Sequence, residues 1–475
     1  MRIAIVGGGV AGLAAAYELE QARRKGVDAD YELFESGARF GGVISSRVDG
    51  GTVIEHGPDS FLTEKPAAIA LCHELGLTDS LIGSDDSQRK TFILVRNRLV
   101  ALPDGLMFLV PTRLTPTLLT PLFDPFTKLR MGLEWFRRAR PVQQDESVAS
   151  LVRRHYGQVV VDRLADPLLS GIFGGDAEHL SAQSVLPAMV RLESEYGSLT
   201  RGMLAVRKKQ RAQARTADAS RKQRTIFTTL RGGLQQLIEA LVAQIDPVRL
   251  HADTAVTSIA LDAGGWHLRF TAGATERFDA VILATPAWVA AQLLHDVHGP
   301  LSQELASIHY SSSITVNLIY DESAIPALPP GFGFLVPAVE RRAMLACTFV
   351  HRKFPGRTAP GKVILRCFAG GARGEHMLAL GDETIAGLLR EELLQILGIA
   401  SEPLLAEVRR WPRSMAQYSV GHAERISRIR CHVDSLPNLH LAGNAYDGIG
   451  ISDCIRLGLE AARALAQSET VRGNN

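Results

Sequence analysis

The sequence predicts an α/β fold in which a Rossmann-like dinucleotide-binding domain carries an inserted α+β substrate domain and a helical subdomain. A β-forming run at residues 3–6 breaks into glycines and then into a helix-forming run at residues 10–19. Similar nucleotide-fold patterns return near residues 280 and 440, after a long stretch of other segments. A nucleotide-binding fold interrupted by an insertion has this order of elements.

The composition is that of a folded protein with two or three substructures. The chain has 475 residues, of which 46% are hydrophobic and 21% are charged, and its net charge of +2 gives no argument for nucleic-acid binding. Its five cysteines are widely spaced and form no C-x-x-C pair, which argues against a disulfide framework and a zinc ribbon. No metal site, signal peptide or membrane-spanning run is predicted, so the cytoplasm is the expected compartment.

The glycine turn at residues 7–12 has the spacing G-x-G-x-x-G. Gly7 allows the tight turn, Gly9 lets the backbone approach a pyrophosphate, and Gly12 lets the helix pack on the strand. A second strand-like run at residues 31–35 ends in Glu35, 23 residues after Gly12. That distance suits a carboxylate that binds ribose hydroxyls. The order of these elements predicts a dinucleotide site.

A second glycine pair follows this acid in the run Arg39-Phe40-Gly41-Gly42. Adjacent glycines beside an arginine suit a loop that passes close to a phosphate. NAD-dependent units do not need this extension. Residues 35–42 resemble the second signature of FAD oxidoreductases of the amine oxidase and phytoene desaturase type, which favours FAD over NAD.

The middle of the chain alternates between helical and strand-like patterns. Residues 66–77 predict a helix, and residues 91–95 and 99–102 predict a β-hairpin that turns at Asn97. Residues 103–126 contain five prolines, which forbid one continuous helix and predict short amphipathic pieces. These pieces are either the apolar wall of a substrate chamber or a membrane-docking surface supported by nearby basic residues.

Helical periodicity continues over residues 148–168, and a flexible break is predicted at residues 170–175. Residues 201–224 contain nine basic residues and one acid, a pattern typical of a solvated loop or helix face, and a flexible loop is predicted. The remaining segments predict a largely antiparallel sheet covered by a helix; they are strands at 256–261, 266–270, 280–284, 314–320, 333–336, 343–350 and 363–369, and helices at 234–243 and 384–397.

A glycine-rich run near the C-terminus is the most diagnostic motif. In residues 439–456 a strand reaches Gly443, glycines follow, and a helix is expected after Asp453. Backbone N–H groups at that helix start would stabilise negative charge on a reduced flavin ring. Together with residues 55–61, 196–199 and 411–412, this run resembles the FAD-dependent porphyrinogen oxidases of heme synthesis, the family of protoporphyrinogen and bacterial coproporphyrinogen III oxidases.

The resemblance implies a fold similar to monoamine oxidase, FAD as cofactor and molecular oxygen as electron acceptor. The reaction would be the six-electron oxidation of coproporphyrinogen III or protoporphyrinogen IX to the porphyrin. Peripheral contact with the inner face of the cell membrane and a monomeric or homodimeric state are compatible with it. The implied boundaries are 1–88, 225–290 and 406–475 for the FAD domain, 89–110 and 291–405 for the substrate domain, 111–200 for the helical subdomain and 201–224 for the basic loop.

No catalytic side chain is predicted, because the flavin performs the chemistry. The cofactor contacts that the resemblance implies are Gly7, Gly8, Gly9, Val10, Ala11, Gly12, Glu35, Ser36, Arg39, Gly42, Gly57, Pro58, Asp59, Ser60, Val256, Trp411, Gly443, Ile449, Gly450 and Ile451. The substrate contacts are Lys65, Gly171, Ile172, Phe173, Phe334 and Leu335.

Alternatives remain open for several of these residues. Lys65 either pairs with a propionate or is a solvated lysine at a helix start, and the apolar residues are either cavity walls or core. Lys90 and Thr91 stand where animal and plant protoporphyrinogen oxidases carry an arginine, and bacterial-type features slightly favour coproporphyrinogen. The rival functions are another flavin oxidase with an amine or carotenoid substrate, and a non-catalytic escort protein with an FAD fold.

Overall fold

The computed structural model describes residues 1–107, 109–139, 144–216 and 225–473. The strands are β1 Arg2–Val6, β2 Asp30–Phe34, β3 Ser46–Asp49, β4 Thr52–Glu55, β5 Phe61–Leu62, β6 Leu81–Gly83, β7 Thr91–Val95, β8 Arg98–Ala101, β9 Leu106–Met107, β10 Val110–Pro111, β11 Phe227–Leu230, β12 Leu250–His251, β13 Val256–Asp262, β14 Gly265–Phe270, β15 Thr275–Phe278, β16 Ala280–Leu283, β17 Tyr310–Asp321, β18 Gly333–Leu335, β19 Met344–Phe349, β20 Lys362–Gly370, β21 Leu405–Ala416 and β22 Leu439–Leu441.

The helices alternate with these strands. They are α1 Val10–Arg24, α2 Pro66–Glu74, α3 Leu114–Leu119, α4 Pro125–Leu133, α5 Val148–Tyr156, α6 Gln158–Val160, α7 Asp166–Phe173, α8 Ala182–Val185, α9 Pro187–Tyr196, α10 Leu199–Thr216, α11 Gln235–Gln244, α12 Ala287–Leu293, α13 Gly299–Ala306, α14 Val350–Lys353, α15 Asp382–Leu397, α16 His422–Asp434 and α17 Ile451–Gly473.

A five-stranded parallel sheet forms the nucleotide-binding fold. Its order is β12-β2-β1-β16-β22, so its strands come from the beginning, middle and end of the chain. The inner strands are continuous apolar runs, and residues 3–5 and 280–283 are fully buried, as expected of strands covered on both faces. The prediction that the chain returns to the nucleotide-binding fold near residues 280 and 440 is therefore confirmed.

A seven-stranded sheet forms the second body, in the order β21-β17-β20-β19-β18-β7-β8. All its pairings are antiparallel except that of β18 with β7. Helix α15 packs its apolar side against one face, which confirms the predicted helix over this sheet. The predicted hairpin is also confirmed: β7 and β8 are joined by Arg96 and Asn97, with left-handed φ angles of 49° and 62°.

The third body is helical and contains α3–α10. The helical run predicted over residues 148–168 is broken at Gly157, passes through a π-helical turn at Val161–Ala165, and continues as α7. The predicted break at residues 170–175 is wrong in its position. Helix α7 continues to Phe173 and ends at Gly174, whose φ of 57° is the left-handed stop conformation.

Two further predictions concern sequence regions of unusual composition. The proline-rich stretch does form short pieces, with Pro125 at the first turn of α4. Residues 201–216 of the basic stretch belong to α10 and are not a loop; residues 217–224 lie outside the described residues. In the described ranges, no helix has both the length and the apolarity needed to cross a bilayer.

Candidate functional site

The glycine turn after β1 is packed on one side and open on the other. Gly7 has a φ of 106°, and a methyl group added to it would lie 2.7 Å from the Ala284 carbonyl oxygen. A methyl group at Gly12 would lie 1.9 Å from the Gly7 oxygen, whereas nothing lies within 4 Å of the same position at Gly9. No side chain of the described residues caps the first turn of α1, which leaves its N–H groups and its positive dipole end for an anion.

A second glycine loop lies against the first. Gly41 donates its N–H to the Gly8 oxygen at 2.7 Å, and Gly42 borders Gly9. The Glu35 carboxylate accepts the Gly8 N–H at 2.7 Å and the Gly37 N–H at 2.8 Å. Arg39 donates to carbonyl oxygens of its own loop, including that of Ile44 at 3.0 Å, and so shapes the loop.

The predicted cofactor contacts Ser36 and Val256 lie near each other. Ser36 donates to Glu35 at 3.2 Å, and Thr254, two residues before Val256, donates its N–H to the Glu35 oxygen at 2.8 Å. Val256 begins β13 and is half-buried. The structure thus brings the start of β13 to the same sheet edge as the carboxylate.

The C-terminal glycine run at residues 443–451 reaches the glycine turn at residues 7–12 and the loop at residues 41–42 from the opposite end of the chain. We call the space that these segments border the cofactor cradle. Gly443 has a φ of 135° and lies beside Thr285. Ile449 and Gly450 lead into α17, which begins at Ile451, three residues earlier than the expected start after Asp453. The difference arises because Asp453 caps this helix from inside it: its carboxylate accepts the Gly450 N–H at 3.2 Å.

Helix α17 packs against α1 with almost no space between them. A methyl group added at Gly458 would lie within van der Waals overlap of the Ala11 carbonyl oxygen. Arg463 of α17 also pairs with Glu18 of α1 at 2.9 Å. The helices that follow the two glycine runs are therefore neighbours, and both runs border one space.

Residues 55–60 form the third wall of the cradle. His56 donates its N–H to the Ser45 oxygen at 2.9 Å, and no side chain fits at Gly57 because the Val43 carbonyl occupies that position. Trp411 donates its indole N–H to the His56 oxygen at 2.9 Å. Pro58 follows in the same turn and is half-buried.

Asp59 faces protein cations. Its carboxylate accepts from the Lys353 ammonium at 3.0 Å and lies 3.6 Å from Arg366, and Ser60 donates to it at 2.6 Å. Although burial would raise it, these two cations hold the pKa of the Asp59 carboxyl well below its usual range. Asp59 is therefore an ionised anchor for the turn, and its carbonyl oxygen is also engaged, by the Thr229 hydroxyl at 2.7 Å.

The predicted substrate residue Lys65 has a protein partner. Its ammonium lies 2.6 Å from the Asp453 carboxylate, at the first turn of α17. The Lys65 side chain is 44% exposed, so this ion pair is open to solvent. The pairing accounts for Lys65 without a substrate, although it also places the lysine beside the C-terminal glycine run.

The predicted apolar walls, residues 171–173 and residues 334–335, lie against each other, except that Phe334 points into the core. Gly171 lies on α7, where an added methyl group would lie 3.4 Å from the Leu335 side chain of β18. Ile172 is exposed and Phe173 is half-buried beside Tyr418. Phe334 is fully buried in the core under α15, so the structure favours core packing for this residue.

Several residues around the cradle were not identified from the sequence. The Thr285 hydroxyl is buried and has no hydrogen-bond partner among the described residues. The residue itself lies between the two glycine runs, with its methyl group near Gly7 and its carbonyl oxygen near Gly443. Its position directly after β16 could have marked it, because strand ends at this sheet edge face the ligand. Lys353 and Arg366 carried no local signal.

These features fit a dinucleotide cofactor. An anion can approach the open side of Gly9, the unpartnered Thr285 hydroxyl borders the same space, and the C-terminal run closes it from the other side. The fit favours a cofactor long enough to contact both glycine runs.

Comparison with known proteins identifies relatives over nearly the whole chain. Residues 10–466 match the family described as flavin containing amine oxidoreductase. The chain is 33% identical to coproporphyrinogen III oxidase of Bacillus subtilis over 97% of its own length and 96% of the relative's. It is 30% identical to human protoporphyrinogen oxidase, with 98% of each chain covered.

A solved structure of similar fold comes from Exiguobacterium sp. 255-15. It has a TM-score of 0.85 and 30% identity, and the match covers 98% of this chain and 99% of that one. Cyclohexylamine oxidase from Brevibacterium oxydans has a TM-score of 0.69 at 17% identity and covers 98% and 99% of the two chains, which shows a shared fold.

Proposed function

The chain belongs to the family of flavin containing amine oxidoreductases, and from this we propose that it is a porphyrinogen oxidase of heme biosynthesis. The cofactor is FAD. The observation that carries the proposal is the end-to-end match, at 30–33% identity, to enzymes named coproporphyrinogen III oxidase and protoporphyrinogen oxidase. The two-ended glycine cradle supplies the cofactor site that this activity needs.

We assign coproporphyrinogen III as the substrate. Bacterial relatives that bear this name match at up to 33% identity, and the human protein named protoporphyrinogen oxidase matches at 30%. Conversion of a porphyrinogen to the porphyrin removes six electrons and six protons. FAD accepts two electrons at a time, so three turnovers are needed, and oxygen as acceptor would yield three molecules of hydrogen peroxide.

The protein's own part in this reaction is binding and positioning. Residues 7–12, Glu35 and Thr285 would hold the dinucleotide, and residues 55–60 and 443–451 would border its reacting end. Leu335 and the exposed face of α7 supply apolar surface for the macrocycle. No side chain is required to move a proton.

The experiment that tests the proposal measures oxygen uptake and porphyrin fluorescence with each porphyrinogen. We expect coproporphyrin to form with three molecules of oxygen consumed per porphyrin, and a lower kcat/KM for protoporphyrinogen. Activity on neither substrate would refute the function. A preference for protoporphyrinogen would refute only the substrate assignment, and porphyrin formation without oxygen uptake would refute only the acceptor.

Release of flavin on denaturation separates this function from that of a covalent flavin oxidase. Cys454 is the cysteine nearest the C-terminal glycine run, and burial raises the pKa of its thiol to about 12. A thiol of that pKa is almost entirely protonated and therefore a poor nucleophile. We expect all flavin to be found in the supernatant after acid precipitation, whereas flavin retained in the pellet would indicate a tether.

We also propose that the helical subdomain contacts the inner face of the cell membrane. Phe126, Leu129 and Leu133 lie at helical spacing on one side of α4 and are 84%, 62% and 58% exposed. Phe136, in the following turn, is 75% exposed. Lys128 lies on the same helix, is half-buried, and donates its ammonium to the Leu118 oxygen at 2.7 Å. Apolar side chains beside a cation suit the surface of an anionic bilayer.

Vesicle sedimentation tests this contact. The protein should sediment with vesicles of phosphatidylglycerol, and the change of Phe126 and Phe136 to Ser should abolish this. Val248, which is 73% exposed in the nucleotide-binding fold, provides the control V248S, which should bind as the unchanged protein does. Equal binding by all three proteins would refute the surface.

A further inference from the structure

The turn at residues 55–60 is tied to the seven-stranded sheet by every carbonyl at its start. Asn317 donates to the Glu55 oxygen at 3.0 Å, Thr315 to the His56 oxygen at 2.5 Å, and Arg366 to the Gly57 oxygen. Asn317 lies opposite Arg366 in the pairing of β17 with β20, and Thr315 is two residues away, so all three share one sheet face.

Five charged side chains, none more than 13% exposed, lie in this turn and directly under it. Lys353 donates to both oxygens of Asp59, at 3.1 and 3.0 Å, and Arg357 donates to Glu55. Arg366 is only 2% exposed, and the carboxylate nearest to it is that of Asp59, at 3.6 Å, which Lys353 already engages. Three cations therefore face two anions, which leaves one positive charge in excess.

This excess is not balanced by the next polar residue outward. His56 contacts Glu407 at 2.9 Å, but Glu407 also pairs with Arg47 at 3.2 Å and Arg409 at 2.9 Å near the surface. The Arg366 Nε atom is buried and has no hydrogen-bond partner among the described residues. A buried guanidinium with incomplete compensation is costly, which suggests that it interacts with something else.

The cofactor cradle is the nearest candidate for that interaction. The turn rests on the loop at residues 41–45, through His56 and Gly57, and that loop rests on Gly8 and Gly9. With the turn taken as the wall that borders the reacting end of FAD, as proposed above, the backbone of residues 55–60 is what separates the charged cluster from the flavin. Charges act strongly over such a distance where water is excluded.

We propose that Arg366 is a positioning residue that, with Lys353 and Asp59, fixes the turn and places one net positive charge beneath the flavin. The reduced flavin carries more negative charge than the oxidised form, so this charge makes reduction more favourable. The inference rests on FAD binding and is independent of which substrate is oxidised.

Anaerobic redox titration of the purified holoprotein tests this without any porphyrinogen. In R366Q we expect the reduction equilibrium of bound FAD to fall roughly ten-fold, about 30 mV for a two-electron couple. D59N removes one negative charge and should shift the potential in the opposite direction. R366K keeps the charge and should restore most of the potential.

The control K362Q removes a cation from the same strand. Lys362 lies four residues from Arg366, pairs with Asp321 at 2.6 Å and is 34% exposed, so its charge is screened and the potential should not change. If the substitutions only damaged the turn, the reduction potential of bound FAD would shift in the same direction in R366Q and D59N. That result would overturn the proposal. If R366Q does not fold, the reduction potential of FAD in D59N decides the test. A potential that is unchanged or lowered in D59N also overturns the proposal.

Discussion

One methyl group placed at two glycines of the same turn should separate cofactor binding from folding. Gly9 has a φ of −70°, which alanine adopts freely, and its added Cβ would meet nothing within 4 Å. The free energy of unfolding of the G9A apoprotein should therefore lie within about 0.5 kcal/mol of that of the unchanged apoprotein. FAD must approach this backbone closely, so the methyl group should cost about 1–3 kcal/mol, a rise in Kd of roughly 5- to 150-fold.

The same change at Gly12 should act on the fold. The added Cβ would lie 1.9 Å from the Gly7 carbonyl oxygen, whereas ordinary contacts begin at 3.4 Å. The strand and the helix would have to separate by about 1.5 Å, the difference between those distances. We expect a loss of more than about 3 kcal/mol in stability, or roughly 3 °C in Tm for a chain of 475 residues, in the apoprotein as well as in the holoprotein.

Titration of each apoprotein with FAD, monitored by the quenching of flavin fluorescence, gives the Kd. Thermal unfolding gives the Tm. The matched control is G132A, since Gly132 lies in α4 with nothing within 4 Å of its added Cβ. G132A should bind FAD as tightly as the unchanged protein does. Its free energy of unfolding should rise by up to about 1 kcal/mol, because alanine has a higher helix propensity than glycine. If G9A bound FAD as tightly as the control does, the cofactor would not approach this backbone and the assigned site would be wrong.

Three further outcomes are expected. Although burial would raise it, hydrogen bonds from His155 and Arg154 lower the pKa of Glu193 to about 2, so its stabilisation is present above the unfolded value of about 4.3 and is lost as the pH falls toward 2. E193Q should flatten the fall of Tm over that range, and an unchanged acid limb would contradict this. K65A should leave KM for coproporphyrinogen within about two-fold if the lysine serves only Asp453, whereas a ten-fold rise would identify a propionate anchor. T285V should weaken FAD binding roughly five-fold while leaving the apoprotein Tm unchanged, because one hydrogen bond contributes about 1 kcal/mol; equal FAD affinity would remove the hydroxyl from the site.

Local patterns identified the segments in which a few neighbouring residues carry the whole constraint. The turn at Asn97 needs a residue that tolerates a left-handed φ, and the G-x-G-x-x-G run needs positions without side chains, so both were visible in the sequence. Lys353 and Asp59 are 294 residues apart; Asp59 belongs to the run at residues 55–61 that carries the family resemblance, but Lys353 lies in no recognisable pattern. Their pairing depends on the sheet register, which no local pattern records.

The errors have the same origin. Gly171 suggested a break, but glycine in a helix costs only about 1 kcal/mol, and the helix ends where Gly174 adopts the left-handed conformation. The basic residues of α10 suggested a loop, yet Leu199, Met203 and Val206 recur at helical spacing and pack on the subdomain core. Charge on one helix face says little about the opposite face.

Hydrogen bonds join the turn at residues 55–57, one wall of the cofactor cradle, to the seven-stranded sheet that we propose carries the substrate. A macrocycle is oxidised only if its reacting carbon lies within about 3.5 Å of the flavin, and an error of 1 Å can cost a hundred-fold in rate. Side chains on three adjacent strands can set such a distance, because Thr315 and Trp411 both donate to the His56 carbonyl and Arg366 donates to the Gly57 carbonyl of a turn that itself rests on the cofactor loops. Variation of these three residues should therefore affect substrate positioning before it affects FAD affinity.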